Sequence, residues 1–342
     1  MRIFLITCLC VTLLLETQSG TGRLGPQTAF AGDALAESTG GFNVSDLNFI
    51  HGDENVSNIN LPLKTSGGGQ FWTDHLWKSG YHVQQNAITG HWRLLDRNNV
   101  RRSWGSKFQC VEALNEIAED ESSKHFVVLL HGLMRTSGSM KPLQDKFTQL
   151  GYEVVPFSYA STRAPIGEHA AALREVLEHL PADAQFSFSG HSMGNIVVRH
   201  LVGDLERDGD PKGILPRCRS MVMLGPPNQG AAIARKFAKT GLFGIVTGKG
   251  GMELGPNWSD LMDKLSTPSF PFAIVAGDLS DYKVKNPMVA GQSDFVVSLD
   301  EAKLDGVEEF ETLPVLHSFL MNDQRAVDFT VEYIRSKHPI GQ

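Results

Sequence analysis

The sequence has no excess of positive charge, and outside its N-terminus it has no long apolar run. Its 342 residues carry a formal net charge of -7, so the chain lacks the excess of positive charge that is typical of a protein that binds DNA or RNA. No stretch after the N-terminus approaches the roughly 18 apolar residues that are needed to cross a bilayer. Hydrophobic residues make up 41% of the chain and charged residues 20%, a globular composition that excludes a mostly disordered protein.

Cysteine is scarce, and no cluster of candidate ligands has metal-binding spacing. Two of the four cysteines lie in the apolar N-terminal run, which leaves Cys110 and Cys218. In an oxidising compartment these two could form a disulfide, although two thiols in a large domain are more often independent buried residues. We predict that the protein holds no metal ion.

The N-terminal segment is organised like an export signal. Arg2 is followed by an apolar run at residues 3–15 and then by the polar stretch ETQSG, with small residues near a cleavage point after Ser19. We therefore expect residues 1–19 to be a signal peptide, and the protein to be periplasmic or secreted. The alternative is a membrane anchor at residues 3–15, but this run is short and no basic stop signal follows it.

The rest of the chain divides into a lead-in and one large domain. Residues 20–70 are rich in Gly, Ser, Thr and Asn, which predicts a flexible or weakly ordered segment. The catalytic domain is expected at 71–342, beginning with two strands around a Thr89–Gly90 turn and a helix over 107–120. Strands and helices then alternate, which predicts the α/β class with a doubly wound, mainly parallel sheet flanked by helices. The expected strands are 125–132, 152–159, 184–190, 218–225, 271–277 and 307–313. One helix is expected through Leu143, Phe147 and Leu150, ending at Gly151, and the other main helices cover 165–180, 193–209 and 321–338.

A Gly-x-Ser-x-Gly motif lies at the junction between the third of these strands and the helix that follows it. Its central residue, Ser192, is a candidate nucleophile because such a junction is the context that the motif requires. A very sharp turn would strain the serine backbone and project its side chain above the sheet. Side chains at Gly190 and Gly194 would then collide with neighbouring backbone, which explains the two glycines.

A serine nucleophile needs donors for the developing oxyanion. The His131–Gly132 pair ends a predicted buried strand, so the backbone of Leu133 is able to approach a substrate oxygen. The N–H of Met193, at the start of the helix, is the second predicted donor. His131 could itself be the base, but a histidine at this position more plausibly braces the loop.

The base is expected late in the chain, in the order serine, acid, histidine. His317 follows the last predicted strand and is the preferred candidate. His338 is the rival, expected to be solvated at a frayed C-terminus, and His191 is too close to Ser192 in sequence to accept its proton. Packing or solvent exposure is the default interpretation for the histidines on predicted helices, which are His169, His179 and His200.

Several aspartates lie between the serine and the histidine. Asp294 precedes an apolar stretch at residues 295–297, whereas Asp278 and Asp281 follow the strand at 271–277 directly. Asp260 and Asp263 fall in a predicted helix and are expected to be surface charges. The residues alone leave Asp294, Asp278 and Asp281 open as the acid that orients the imidazole.

Five motifs in combination resemble the α/β-hydrolase superfamily, and within it the bacterial lipases and esterases. The resemblance runs from about residue 81 to the end of the chain. The motifs are HGLM, GHSMGN, LGPPNQGA, SDFVVSLDEAKL and LPVLHSFLMND, which match in order the oxyanion loop, the nucleophile elbow, a Pro-Asn-x-Gly segment, the acid loop and the histidine loop.

The resemblance implies an acid a little over twenty residues before the histidine. Asp294 is 23 residues before His317, which favours it over Asp278. Two positions depart from the family pattern, because Phe295 and Asn195 stand where glycine is common. The implied reaction is hydrolysis of a carboxylic ester through an acyl-enzyme, with Leu133 and Met193 holding the oxyanion, and it requires no cofactor.

The resemblance also implies a hydrophobic ester or lipid substrate and transient contact with a lipid surface. Residues 228–265 lie where lipase-like hydrolases insert a cap or lid, and the alternative there is an ordinary helix with a glycine loop. Some bacterial lipases hold a structural calcium, but the ligand spacing for one is absent. The rival functions are a thioesterase, a lipid-remodelling deacylase or an acyltransferase on the same fold, and less favoured is a non-catalytic binding protein.

Overall fold

A computed structural model describes residues 62–117, 125–238, 243–282 and 286–340 of the chain. The predicted signal peptide and most of the predicted lead-in lie outside these residues, so both stay predictions. Within the described ranges, no helix combines the length and the apolar character that a membrane crossing requires.

A six-stranded parallel sheet forms the centre of the fold and confirms the predicted doubly wound architecture. The strands are β5 (His125–Leu130), β6 (Glu153–Phe157), β7 (Gln185–His191), β8 (Cys218–Leu224), β9 (Phe272–Gly277) and β10 (Glu309–Leu313). Their order across the sheet is β10-β9-β8-β7-β5-β6, so the order reverses between β5 and β7. Loops that follow the two strands at such a reversal open a crevice at the carboxyl edge of the sheet.

Helices cover both faces of this sheet, because its apolar strands are buried on both sides. Val128 and Leu130 of β5 pack in one cluster with α3 (Ile166–His179) and α4 (Met193–Asp208). Val127 and Leu129 point to the opposite face, where α2 (Lys141–Gln149) and α9 (Gln324–Lys337) lie. Alternate residues of one strand therefore supply two separate cores.

An antiparallel sheet precedes the parallel one. The predicted hairpin is confirmed as β2 (Tyr81–Asn86) and β3 (Trp92–Leu95), and the structure adds two unpredicted strands, β1 (Trp72–Lys78) and β4 (Arg101–Gly105). The helix that follows, α1 (Lys107–Asn115), is shorter than predicted. Because α1 packs on one face of the antiparallel sheet, a small third core forms there, made of Leu76, Val83, Leu94, Cys110 and Leu114.

Three helices occupy the region predicted as a cap or lid: α5 (Ala232–Ala238), α6 (Phe243–Glu253) and α7 (Trp258–Met262). Gly248 interrupts α6 with φ 65° and ψ -158°, a conformation that is close to glycine-only. Whether this region moves as a lid stays a prediction. Between β9 and β10, α8 (Leu299–Ala302) is a single helical turn.

Cys110 and Cys218 are both free and buried, so they do not form the disulfide left open above.

His338 corrects one expectation, because it is buried and not solvated. Its Nε2 lies 2.8 Å from Nδ1 of His125, and its Nδ1 lies 2.9 Å from the Ser187 hydroxyl. The physical reason is that α9 packs along the sheet and brings its C-terminal end to the starts of β5 and β7. Burial lowers the pKa of His338 to about 4.

We expect the protein to lose stability as the pH falls from about 6.5, the ordinary histidine pKa, toward 4. Burial lowers the pKa of His338 to about 4 and that of His169 to about 3, so the unfolded chain binds more protons in this window than the folded one. The stabilisation is complete above pH 6.5 and is lost on acidification. Chemical unfolding at pH 7.5, 6.0 and 4.5 measures the slope of stability against pH.

The variant His338→Gln is expected to flatten that slope, because it removes one buried titrating group. His179→Gln is the matched control, since His179 is exposed on α3. A slope for His338→Gln equal to those of the parent and of the control would contradict the prediction.

Candidate active site

The nucleophile motif forms a strained turn between β7 and α4. Ser192 has φ 52° and ψ -119°, in the positive-φ region that non-glycine residues rarely adopt. Its backbone N–H donates to the Leu224 carbonyl at 2.9 Å, which ties the turn to β8. The predicted strain at the serine is therefore present, and helix α4 begins immediately after it.

The two glycines of the motif lie where a side chain would collide with backbone. A Cβ at Gly190 would lie 2.8 Å from the Asn195 nitrogen, and a Cβ at Gly194 would lie 2.6 Å from the Leu130 carbonyl oxygen. The steric reason inferred from the sequence is confirmed at both positions. The elbow is consequently packed against the end of β5 with no room to relax.

His317 joins the serine to an aspartate by two hydrogen bonds. Its Nε2 lies 2.9 Å from the Ser192 hydroxyl oxygen, and its Nδ1 lies 2.6 Å from Oδ2 of Asp294. The backbone N–H of His317 also donates to the Asp294 carbonyl at 2.9 Å, so the histidine and acid loops are held together twice. His317 begins a short 3-10 turn directly after β10.

Asp294 is 1% exposed, and both of its carboxylate oxygens have partners. Oδ1 accepts from the backbone N–H groups of Val296 and Val297 at 2.9 and 2.7 Å, which leaves Oδ2 facing His317. Phe295 has φ 83°, so the backbone keeps the conformation that glycine would favour at this position. The carbonyl of Phe295 accepts from the Asn286 side chain at 2.7 Å, a bond that helps to hold the strained residue.

The competing aspartates lie elsewhere. Asp278 accepts from Ser280 N–H at 2.9 Å and from the Gln292 side chain at 2.8 Å. Asp281, Asp260 and Asp263 are exposed at or near short helices. Among the described contacts of His317, its only carboxylate partner is Asp294.

The two predicted oxyanion donors lie at the ends of neighbouring strands. Met193 opens α4 and is buried, and Leu133 follows the His131–Gly132 pair after β5. A Cβ at Gly132 would lie 3.3 Å from Cβ of Ser192, so this loop lies directly against the elbow. Within the described part of the chain, neither amide donates a hydrogen bond to the protein.

Helix α6 covers both donor residues. A Cβ at Gly250 would lie 3.0 Å from Sδ of Met193, and one at Gly251 would lie 3.3 Å from Cδ2 of Leu133. These glycines therefore permit the helix backbone to approach the site closely.

His131 braces the oxyanion loop, as the sequence analysis expected. It is fully buried, its ring stacks on Tyr159 with centroids 4.1 Å apart, and its Nδ1 lies 2.9 Å from the Gly132 carbonyl oxygen. Burial lowers its pKa to about 4. The ring is thus neutral at pH 7, and its hydrogen bond is to the loop and not to Ser192.

His191 contacts two loops of the site, which its position in the sequence did not predict. Its Nε2 donates to the carbonyl oxygen of His317 at 2.9 Å, and a Cβ at Gly132 would lie 2.7 Å from its Nδ1. Burial lowers the pKa of His191 well below the ordinary value, so the ring is neutral with its proton on Nε2. One side chain therefore contacts the oxyanion loop and the histidine loop while its backbone precedes the nucleophile.

Asn195 and two further glycines also support the site. The Asn195 amide donates to the carbonyls of Ser192 and Leu224 at 3.1 and 3.3 Å, where a glycine could make neither bond. A Cβ at Gly225 would lie 3.0 Å from Nδ1 of His317, and one at Gly277 would lie 2.5 Å from Cβ of Asp294. Both glycines end predicted buried strands, and that position is the signal that could have identified them.

No three His, Cys, Asp or Glu side chains in the described ranges converge on a common metal position.

Residues 120–237 match a family model described as "Putative serine esterase (DUF676)". No curated protein matches the chain. Among solved structures, the chain is similar to the lipase BlEst2 of Bacillus licheniformis, with 14% identity in both forms. The propeptide form has a TM-score of 0.49 over 66% of this chain and 54% of that one, and the mature form has 0.47 over 65% and 94%. The phospholipase PlaB of Legionella pneumophila is 19% identical, with a TM-score of 0.39 over 52% of this chain and 45% of that one.

The family match covers part of the site. It includes the oxyanion loop, the elbow and the glycine after β8, whereas Asp294 and His317 lie beyond it. The segment before residue 120, with the antiparallel sheet, also lies outside the matched range.

We expect the substitution Gly194→Ala to disrupt the elbow, because its Cβ would meet the Leu130 carbonyl. Overpacking of this kind costs about 1–3 kcal/mol in the free energy of unfolding. Labelling of Ser192 by a fluorophosphonate should slow as well, since the serine backbone must shift. Gly138→Ala is the control, because a Cβ there would make only an ordinary 3.4 Å contact. Equal stability and labelling in the two variants would refute the steric argument.

We expect His191→Phe to lower kcat about tenfold, the equivalent of one lost hydrogen bond of about 1.4 kcal/mol. The phenyl ring fills similar space but no longer donates to the His317 carbonyl. His91→Phe is the control, because His91 is exposed in the turn just before β3. Steady-state ester hydrolysis measures kcat. An unchanged kcat in His191→Phe would show that the His191 ring does not position His317.

Proposed function

We propose that this carboxylic ester hydrolase of the α/β-hydrolase superfamily acts through Ser192, His317 and Asp294 and an acyl-enzyme intermediate. The superfamily and the activity class, both predicted from the sequence, are confirmed by the fold and by the serine esterase match. The observation that carries the proposal is the continuous pair of hydrogen bonds, 2.9 Å from Ser192 to His317 and 2.6 Å from His317 to Asp294.

The hydrogen bonds support a direction for proton transfer. Asp294 accepts from Nδ1–H of His317, which leaves the lone pair of Nε2 facing the Ser192 hydroxyl. As Oγ bonds to the ester carbon, its proton moves to Nε2, and the imidazolium forms beside the buried carboxylate. The N–H groups of Leu133 and Met193 then stabilise the oxyanion.

The second half of the proposed reaction reverses these roles. The Nε2 proton of His317 passes to the leaving alcohol as the C–O bond breaks and the acyl-enzyme forms. His317 next removes a proton from water, whose oxygen attacks the acyl carbon. Collapse of that intermediate returns the proton to Ser192 and releases the carboxylic acid.

We further propose that the acyl group is hydrophobic and that the protein contacts a lipid surface. Leu316 and Phe319, on either side of His317, are 40% and 44% exposed, so two large apolar side chains lie at the surface beside the site. These two exposed apolar side chains beside His317 support a hydrophobic acyl group and contact with a lipid surface.

Export is also part of the proposal and is supported by the N-terminal sequence alone. Expression of the full chain in its native host, followed by mass spectrometry of the cell-free and envelope fractions, tests it. A mature protein that begins after Ser19 supports a cleaved signal peptide. An intact N-terminus in a membrane fraction would instead support the anchor at residues 3–15.

We expect Ser192→Ala to lose fluorophosphonate labelling and to lower ester hydrolysis by at least about 10³-fold. p-Nitrophenyl esters of increasing chain length measure the rate, and a preference for long chains supports a lipid-like substrate. Retained turnover in Ser192→Ala would exclude the proposed nucleophile. Faster cleavage of matched thioesters, or acyl transfer to an added alcohol in preference to water, would favour the rival functions.

We expect Asp294→Asn to lower kcat by about 10³–10⁴-fold, because the amide no longer fixes the His317 tautomer. Asp278→Asn is the matched control, since Asp278 also follows the carboxyl edge of the sheet but binds Ser280 and Gln292. The proposed acid is wrong if the control variant loses as much activity as Asp294→Asn.

A further inference from the structure

Gln70, which lies just before β1, contacts two loops at the carboxyl edge of the parallel sheet. Its Oε1 accepts from the Ser161 hydroxyl at 2.9 Å and from Thr162 N–H and Oγ1 at 3.2 and 3.1 Å. Its Nε2 donates to the carbonyl of Arg135. One half-buried amide thus joins the segment after β6 to the oxyanion loop after β5, and it uses both ends of the side chain.

Ser161 extends this connection to the residue beside the predicted oxyanion donor. The Ser161 hydroxyl donates to Gln70 and accepts from Met134 N–H at 3.0 Å, so its orientation is fixed by two partners. Met134 has φ 61°, a strained conformation that needs external support. Arg135 N–H donates to the Gly132 carbonyl at 3.1 Å and closes the turn. Leu133 is therefore enclosed in a turn that is held on both sides.

The antiparallel sheet gives Gln70 a rigid base. Asp74 of β1 is fully buried, and its carboxylate accepts from Ser158 N–H at 2.7 Å and from the His82 and Gln84 side chains. The backbone N–H of Asp74 donates to the Ser158 carbonyl at 2.9 Å. The start of β1 is thus attached by both backbone and side chain to the residues that precede Ser161.

We infer that Gln70 is a positioning residue for the oxyanion loop, and that the antiparallel sheet is consequently part of the catalytic unit. The inference rests on the proposed function, because it concerns how the Leu133 amide is aimed at the oxyanion. Without Gln70, Ser161 loses one of its two partners, and the strained Met134 relaxes. The Leu133 N–H then turns away from the reacting carbonyl.

The test compares Gln70→Met with Gln85→Met in hydrolysis of a p-nitrophenyl ester. Methionine keeps the length of the side chain and removes every hydrogen bond of Gln70. Gln85 is a suitable control because it lies on β2 of the antiparallel sheet. Its side chain donates one exposed hydrogen bond, 3.4 Å long, to the Gly90 carbonyl. We expect Gln70→Met to lower kcat about 10–100-fold with KM within about twofold, since a misplaced oxyanion donor acts on the transition state. The control should match the parent.

Two further measurements separate positioning from a general loss of structure. Hydrogen exchange of peptides that cover residues 132–136 should quicken in Gln70→Met while exchange in α4 is unchanged. Ser161→Ala should lower kcat by a similar factor. The kcat of the double variant should be no lower than that of either single variant, because both substitutions break the same chain of hydrogen bonds from Gln70 through Ser161 to Met134. Additive losses, or a general rise in exchange across the sheet, would show a structural role only and would overturn the inference.

The two proposals fail in different ways. If Ser192→Ala abolishes hydrolysis while Gln70→Met keeps the parental kcat, the positioning role is wrong and the proposed function stands. If Ser192→Ala retains full hydrolysis, the proposed function is wrong, and the catalytic part of this inference falls with it.

Discussion

The positive-φ backbone of Ser192 is the constraint on which the rest of the site depends. A serine adopts such a conformation only where its surroundings leave no alternative. Here β5, β7 and β8 supply those surroundings, because Gly190 and Gly194 let the elbow contact Asn195 and the end of β5, and Ser192 N–H is bonded to Leu224. The strain is maintained by close packing of backbone on backbone, which explains why glycines recur where strands end.

Each loop at the carboxyl edge of the sheet supplies one component. The loop after β5 carries the proposed oxyanion donor Leu133, the turn after β7 the serine, and the turn after β10 the histidine. Gly225, after β8, and Gly277, at the end of β9, leave room for the imidazole and the acid. His191 joins the first three of these because its neutral ring donates to the His317 carbonyl and touches Gly132. The parallel sheet thereby brings segments that are far apart in the sequence together in one site.

Two buried neutral histidines, His131 and His191, lie in the loops that form the proposed active site. Burial lowers the pKa of both His131 and His191, so neither is positively charged at neutral pH, and the His191 ring lies 4.9 Å from that of His317. A cation there would oppose formation of the imidazolium that the reaction requires. Their hydrogen bonds go instead to backbone carbonyls, which orient loops without adding charge. Buried neutral rings are also the reason for the loss of stability that is expected on acidification.

The sequence by itself determined the local features: the alternation of strands and helices along the chain, the elbow with its glycines, and the late histidine. These follow from periodicity and from the steric demands of a short turn, which depend only on neighbouring residues. Only the tertiary structure showed that His338 is buried and that Gln70 reaches the oxyanion loop, and it placed Asp294, which the residues alone left beside two alternatives, against His317. Those contacts join residues far apart in the chain, and no local pattern records them. They arise because strand packing brings loop ends within hydrogen-bond distance, and that arrangement exists only in the folded protein.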